Sequence, residues 1–165
     1  MFRWIIVLAG LAAVVALFVL PGRATKTSYV NGLPPYTELP GREFIFERDC
    51  YIFKLKDAPS DWPFVGDHAR VGDLPETVDS KLVGTELPTV RLLDTVRVGD
   101  RFKIASVRRD QHGSEVKVTF ELLFTDEAAR KYPRVDATWI MDHAPEQTGK
   151  APSILADYAV PRRDR

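Results

Sequence analysis

The spacing of apolar residues predicts a mainly β fold. The expected form is a small antiparallel barrel or roll with one or two short helices, preceded by one transmembrane helix. Three observations carry this expectation. Val116, Val118, Phe120, Leu122 and Phe124 stand at every second position, with Lys117, Thr119 and Glu121 between them. A helix would scatter these five groups around its surface, whereas a strand places them on one face. The same alternation recurs in Phe44 and Phe46, in Tyr51, Phe53 and Leu55, in Phe102 and Ile104, and in Val135, Ala137, Trp139 and Met141. Finally, Trp4 to Leu20 is an apolar run without a charge.

That run belongs in a membrane. Its 17 residues make a helix of about 26 Å, close to the roughly 30 Å hydrocarbon core. Eleven of them are Ile, Val, Leu or Phe, which together favour insertion by about 3–6 kcal/mol. Arg3 and Trp4 suit the interface at one end, and Pro21-Gly22 stops the helix at the other. Residues 1–24 therefore read as a membrane anchor. The alternative is a signal peptide cleaved after Ala24, with Gly22 and Ala24 as the small residues of the cleavage site. An anchor puts the carboxyl-terminal part outside the cytoplasm, on a single pass through the inner or cell membrane. Cleavage leaves it periplasmic or secreted. Ala9 and Ala13, with Ala12 and Ala16, repeat small residues at four-residue spacing and allow a homodimer through the anchor.

Residues 25–42 hold three prolines and two glycines and read as a Pro/Gly-rich tether. The β domain is expected over 43–160. A turn or bulge near Arg48-Asp49 interrupts its first strands, and Asp110-Gln111-His112-Gly113 joins two later ones as an antiparallel hairpin. Thr125 to Pro133 has a threonine cap, acids in its first turn and cations in its last, which predicts a short helix. Residues 153–160 fit either a second short helix capped by Ser153 or a final strand. A basic tail, 161–165, closes the chain. The stretch Val96 to Ile104 with the hairpin after it resembles the strand pairs of SH3-like barrels. The resemblance spans about 30 residues and implies a barrel architecture without an activity.

Charge is balanced overall, with 23 basic and 23 acidic residues, so nothing points to nucleic acid as a partner. It is unevenly placed, however. Residues 57–86 carry seven acids against two bases, net −5, and residues 91–109 carry six bases against two acids, net +4. The two segments are expected to meet. Arg97, Arg101, Lys103, Arg108 and Arg109 are the candidate binding residues, suited to an acidic partner, to lipid headgroups or to the protein's own acidic segment. No phosphate loop, dinucleotide fingerprint, nucleophile elbow or zinc signature is present. No metal or cofactor is therefore expected. The single cysteine, Cys50, forms no internal disulfide and reads as a small buried hydrophobe.

Two functions from different classes follow. The first is a membrane-tethered extracytoplasmic binding or assembly module without catalytic activity, engaging another membrane or envelope protein. The second is a small extracytoplasmic hydrolase that uses loop Asp and His residues, Asp67-His68 or Asp142-His143. Convergent His and Asp side chains in one pocket favour the enzyme. An uncovered sheet face favours the binder.

Overall fold

The computed structural model describes residues 25–58, 62–143 and 149–162. The apolar run 4–20 and the end of the tail, 163–165, lie outside them. Among the described residues no helix is long and apolar enough to cross a membrane. The strands are β1 (Lys26–Tyr29), β2 (Glu43–Phe46), β3 (Cys50–Leu55), β4 (Phe64–Gly66), β5 (Val90–Val96), β6 (Arg101–His112), β7 (Glu115–Phe124), β8 (Arg134–Asp136), β9 (Met141–Asp142), β10 (Ser153–Ile154) and β11 (Ala159–Pro161).

The hairpin β6–β7 is the spine. Gly113 supplies the positive φ of 61° at its tip, where a side chain would be strained. One edge of β6 pairs with β7 throughout, and the other pairs with β2 near its start and β1 near its end. From there the sheet runs β11-β2-β6-β7-β8-β4-β3-β5, with a parallel step only between β4 and β8. It does not close into a barrel, so the barrel half of the expected fold is corrected. The terminal strands β5 and β11 do not pair with each other. Strands β9 and β10 form a separate two-stranded sheet.

The inner face of this curved sheet carries the main core, with Phe44, Phe46, Phe102, Ile104, Val107, Phe120, Leu122 and Phe124 among its members. The alternation of β7 held for Phe120, Leu122 and Phe124, all wholly buried. It failed toward the tip, where Val116 is 44% exposed because the hairpin outruns the domain. Strand β3 is covered on both faces. Cys50 and Ile52 enter the main core, while Tyr51 and Phe53 join Phe64, Val71, Leu74, Val90 and Leu92 in a second core on the outer face. The acidic segment provides Val71 and Leu74, so it folds over β3, β4 and β5.

Three local expectations are corrected. The stretch 125–133 forms only a single 3₁₀ turn, Glu127–Ala129. The Thr125 hydroxyl donates to the Arg101 carbonyl instead of capping a helix. Arg130 leaves the helical path to lie over the Phe124 ring, with Asp100 at 2.5 Å and Asp126 at 3.1 Å. The strand expected from Val135 to Met141 breaks after Asp136, whose carboxylate accepts from the backbone N–H and hydroxyl of Thr138. This local bonding of an Asp side chain competes with the strand ladder and begins the 3₁₀ turn Thr138–Ile140. Residues 153–160 split between β10 and β11 instead of forming one element. Within the Pro/Gly-rich stretch 25–42, β1 pairs with β6, and Val30 and Leu39 are buried in the main core.

Candidate functional site

An extra residue in β6 decides where its cations point. The register against β7 shifts between Ile104 and Ser106, so Ala105 is bulged. Before the bulge, odd-numbered residues face outward; after it, even-numbered ones do. Arg101, Lys103, Ser106 and Arg108 therefore share the outer face, each in register with an outward residue of β7 or β2. Arg109 is thrown to the opposite face beside Val118. Arg97 leaves the set as well, since it sits in the β5–β6 turn with its guanidinium 3.0 Å from Asp49. Of the five candidate binding residues, three are brought together and two are not.

The three differ in their surroundings. Arg108 pairs with Asp110 at 3.1 Å and lies over the Trp62 ring. Arg101 and Lys103 have no ion pair among the described residues, and Arg101 is exposed. The two segments do meet, through Arg108 over Trp62, Arg97 on the Val78 carbonyl and Glu86 with Arg91 at 3.2 Å, but among the described residues no acid of 57–86 pairs with Arg101 or Lys103. Asp67 turns to Arg48, and Asp73 accepts from the Thr89 hydroxyl.

Beside this strip the outer face buries two acids in register, Glu121 and Asp136. Sequence reasoning missed both, because nothing in a strand pattern separates a buried outward acid from a solvated one. Glu121 accepts from the Ser106 hydroxyl at 2.5 Å and pairs with Arg134 at 2.8 Å. Asp136 is 2% exposed, and its bonding partner Thr138 lines a groove of about 390 Å³ with Leu55, Phe64, Lys117 and Trp139. Burial, opposed by the Thr138 bonds and by Lys117 and Arg108, leaves its carboxyl above the ordinary value of 3.8. A carboxyl raised on folding penalises the folded state where it must ionise, and this penalty fades as pH falls through the folded value. Asp136→Asn keeps an acceptor for Thr138 and should raise the urea midpoint near neutral pH. The gain should shrink as pH falls toward 3.8; a gain independent of pH would show that Asp136 is not the titrating group.

Of the two hydrolase pairs, Asp67-His68 lines one pocket and His143 lies elsewhere. Asp67 and His68 share a pocket of about 390 Å³ with Arg48, Asp49 and Glu76. The Asp67 carboxylate is held by Arg48 at 3.0 Å and by the Tyr158 hydroxyl, while Nδ1 of His68 meets the Leu74 carbonyl. His143 instead packs against the Phe120 ring at 5.5 Å. Cys50 is buried, and burial pushes its thiol well up, away from reactivity. Among the described residues no three His, Cys, Asp or Glu side chains gather as a metal site. No family model, curated protein or solved structure matches this chain.

Proposed function

We propose that this chain is a membrane-tethered, extracytoplasmic binding or assembly module without catalytic activity. Residues 4–20 anchor it by a single pass, and the outer face of the β6–β7 hairpin engages an acidic patch of another membrane or envelope protein. The observation that carries this reading is the Ala105 bulge. It aligns Arg101 and Lys103 with Arg108 on one face and leaves the first two without an ion pair among the described residues. Bulges that re-aim side chains in this way recur beside functional sites. Complementary charge of this kind sets specificity and encounter rate more than affinity.

Co-purification of the full-length chain from detergent-solubilised membranes tests it. A partner captured by the wild type should be lost from Arg101→Glu/Lys103→Glu and kept by Arg109→Glu, which alters the other face. The capture should also weaken with added salt. Equal capture by all three proteins overturns the reading.

One observation favours the hydrolase: Asp67 and His68 line the same pocket. Against it, the Asp67 carboxylate is already occupied, by the Arg48 guanidinium on one oxygen and the Tyr158 hydroxyl on the other. Hydrolysis of model esters that disappears in Asp67→Asn and in His68→Gln would establish the enzyme.

A further inference from the structure

We infer that the tip of the β6–β7 hairpin is a second membrane contact, resting on anionic lipid headgroups beside the span. This inference rests on the reading of residues 4–20 as the anchor. The register of β1 carries it. Lys26 pairs with Gln111, and β1 then runs away from the tip to Tyr29 opposite Arg108. The chain therefore enters the domain at the hairpin tip. Between Leu20, the end of the apolar run, and Lys26 there are six Cα–Cα steps, at most about 21 Å when fully extended. The headgroup layer itself occupies roughly 6 Å of that reach. The start of β6 at Arg101 lies about 37 Å further from the tip, given about 3.4 Å per residue.

The side chains at the tip suit such a surface. Lys26 and Arg109 have no ion pair among the described residues, whereas the Lys117 ammonium turns back from the tip to lie 5.9 Å from the Phe64 ring centroid. Of the acids there, Asp110 is taken by Arg108 at 3.1 Å and the Thr27 hydroxyl at 2.7 Å, and Glu115 stands exposed opposite His112. Val116, in register with Gln111 near the tip, is 44% exposed, and Tyr29, three residues along β1 from Lys26, is 66% exposed, an apolar group close to the cations and an amphipathic ring behind them. This combination matches the interfacial belts of membrane proteins and the juxtamembrane basic clusters that bind anionic lipid. The attraction of exposed charges is screened over about 8 Å at physiological salt. Lipid charge therefore acts on the tip and leaves Arg101 and Lys103, at the far end, for a protein partner.

The test uses the full-length chain reconstituted into phosphatidylcholine vesicles, with and without phosphatidylserine. An environment-sensitive fluorophore is placed at Ser114→Cys on the tip or at Val98→Cys in the far turn, with Cys50→Ala removing the native thiol. With phosphatidylserine present, the probe at 114 should be quenched by headgroup-borne nitroxide and shielded from iodide, whereas the probe at 98 should stay open to iodide. Lys26→Glu/Arg109→Glu should restore iodide access at 114 several-fold while the protein still floats with the vesicles; Lys26→Glu alone should do so in part. Equal iodide access at 114 and 98 in floated protein overturns the tip contact and leaves the anchor standing. Protein that does not float overturns the anchor, and this inference with it.

Discussion

Phe120→Ala is expected to lower the unfolding free energy by about 3–5 kcal/mol, the range of large aromatic truncations in a core. Phe120 is wholly buried at the centre of the inner face. Its ring meets Tyr36 at 6.2 Å and His143 at 5.5 Å, so two distant chain segments close over it. Removing the ring leaves a cavity that paired strands on both sides cannot collapse into. The adjacent Thr119 gives the contrast. It faces outward yet is only 3% exposed, and its hydroxyl has no hydrogen-bond partner among the described residues. Thr119→Val should therefore be neutral or stabilising by about 1 kcal/mol, since it removes an unpaired buried hydroxyl at nearly constant volume. Urea unfolding of the two variants checks the face assignment; similar losses in both would show it to be wrong.

Strands with one covered face were legible as sequence, because a period of two has a single physical cause there. Phe44, Phe46, Phe102, Phe120, Leu122 and Phe124 reach the main core as their spacing requires. Legibility ended where a second cause entered. Tyr51 and Phe53 alternate correctly, but they face a second core built from the acidic segment, which no local pattern announces. The net charge of 57–86 pointed to the basic segment as its partner, whereas its buried Val71 and Leu74 decide where it packs. Helix signals at 125–133 were outweighed by Arg130, whose partner Asp100 lies 30 positions away. Side-chain bonding by Asp136 ended a strand that the apolar pattern continued.

The candidate site was legible in its residue types and not in its grouping. Five cations were visible between residues 97 and 109. Their sorting depends on one bulged residue, Ala105, whose insertion reverses every side chain after it. Alanine carries no turn or bulge signal, so an unbroken reading of β6 places Arg109, not Arg108, beside Arg101 and Lys103. The buried acids Glu121 and Asp136 were invisible for a related reason. Their burial comes from neighbours on other strands, Ser106 and Arg134 for one and the Thr138 turn for the other.

Asp67→Ala is expected to cost about 2–4 kcal/mol, somewhat below a fully buried broken pair because Arg48 remains 39% exposed. The carboxylate joins three distant parts of the chain. Arg48, between β2 and β3, donates to one oxygen at 3.0 Å, and the Tyr158 hydroxyl, just before β11, donates to the other. The Arg48 guanidinium also lies 5.0 Å from the Tyr158 ring centroid. Burial first, and the hydrogen bond to Asp67 second, push the Tyr158 phenol well up, so it stays a donor throughout the physiological range. Truncation leaves this phenol, on a residue only 1% exposed, without its acceptor, and that orphaned donor supplies much of the expected loss. Tyr158→Phe alone should cost less, about 1–2 kcal/mol, because Asp67 keeps Arg48. A double-mutant cycle isolates the shared bond. If the network acts as one unit, Asp67→Ala/Tyr158→Phe should fall short of the sum of the single losses by about 1 kcal/mol. Strict additivity in urea unfolding would show that Asp67 and Tyr158 stabilise the fold independently.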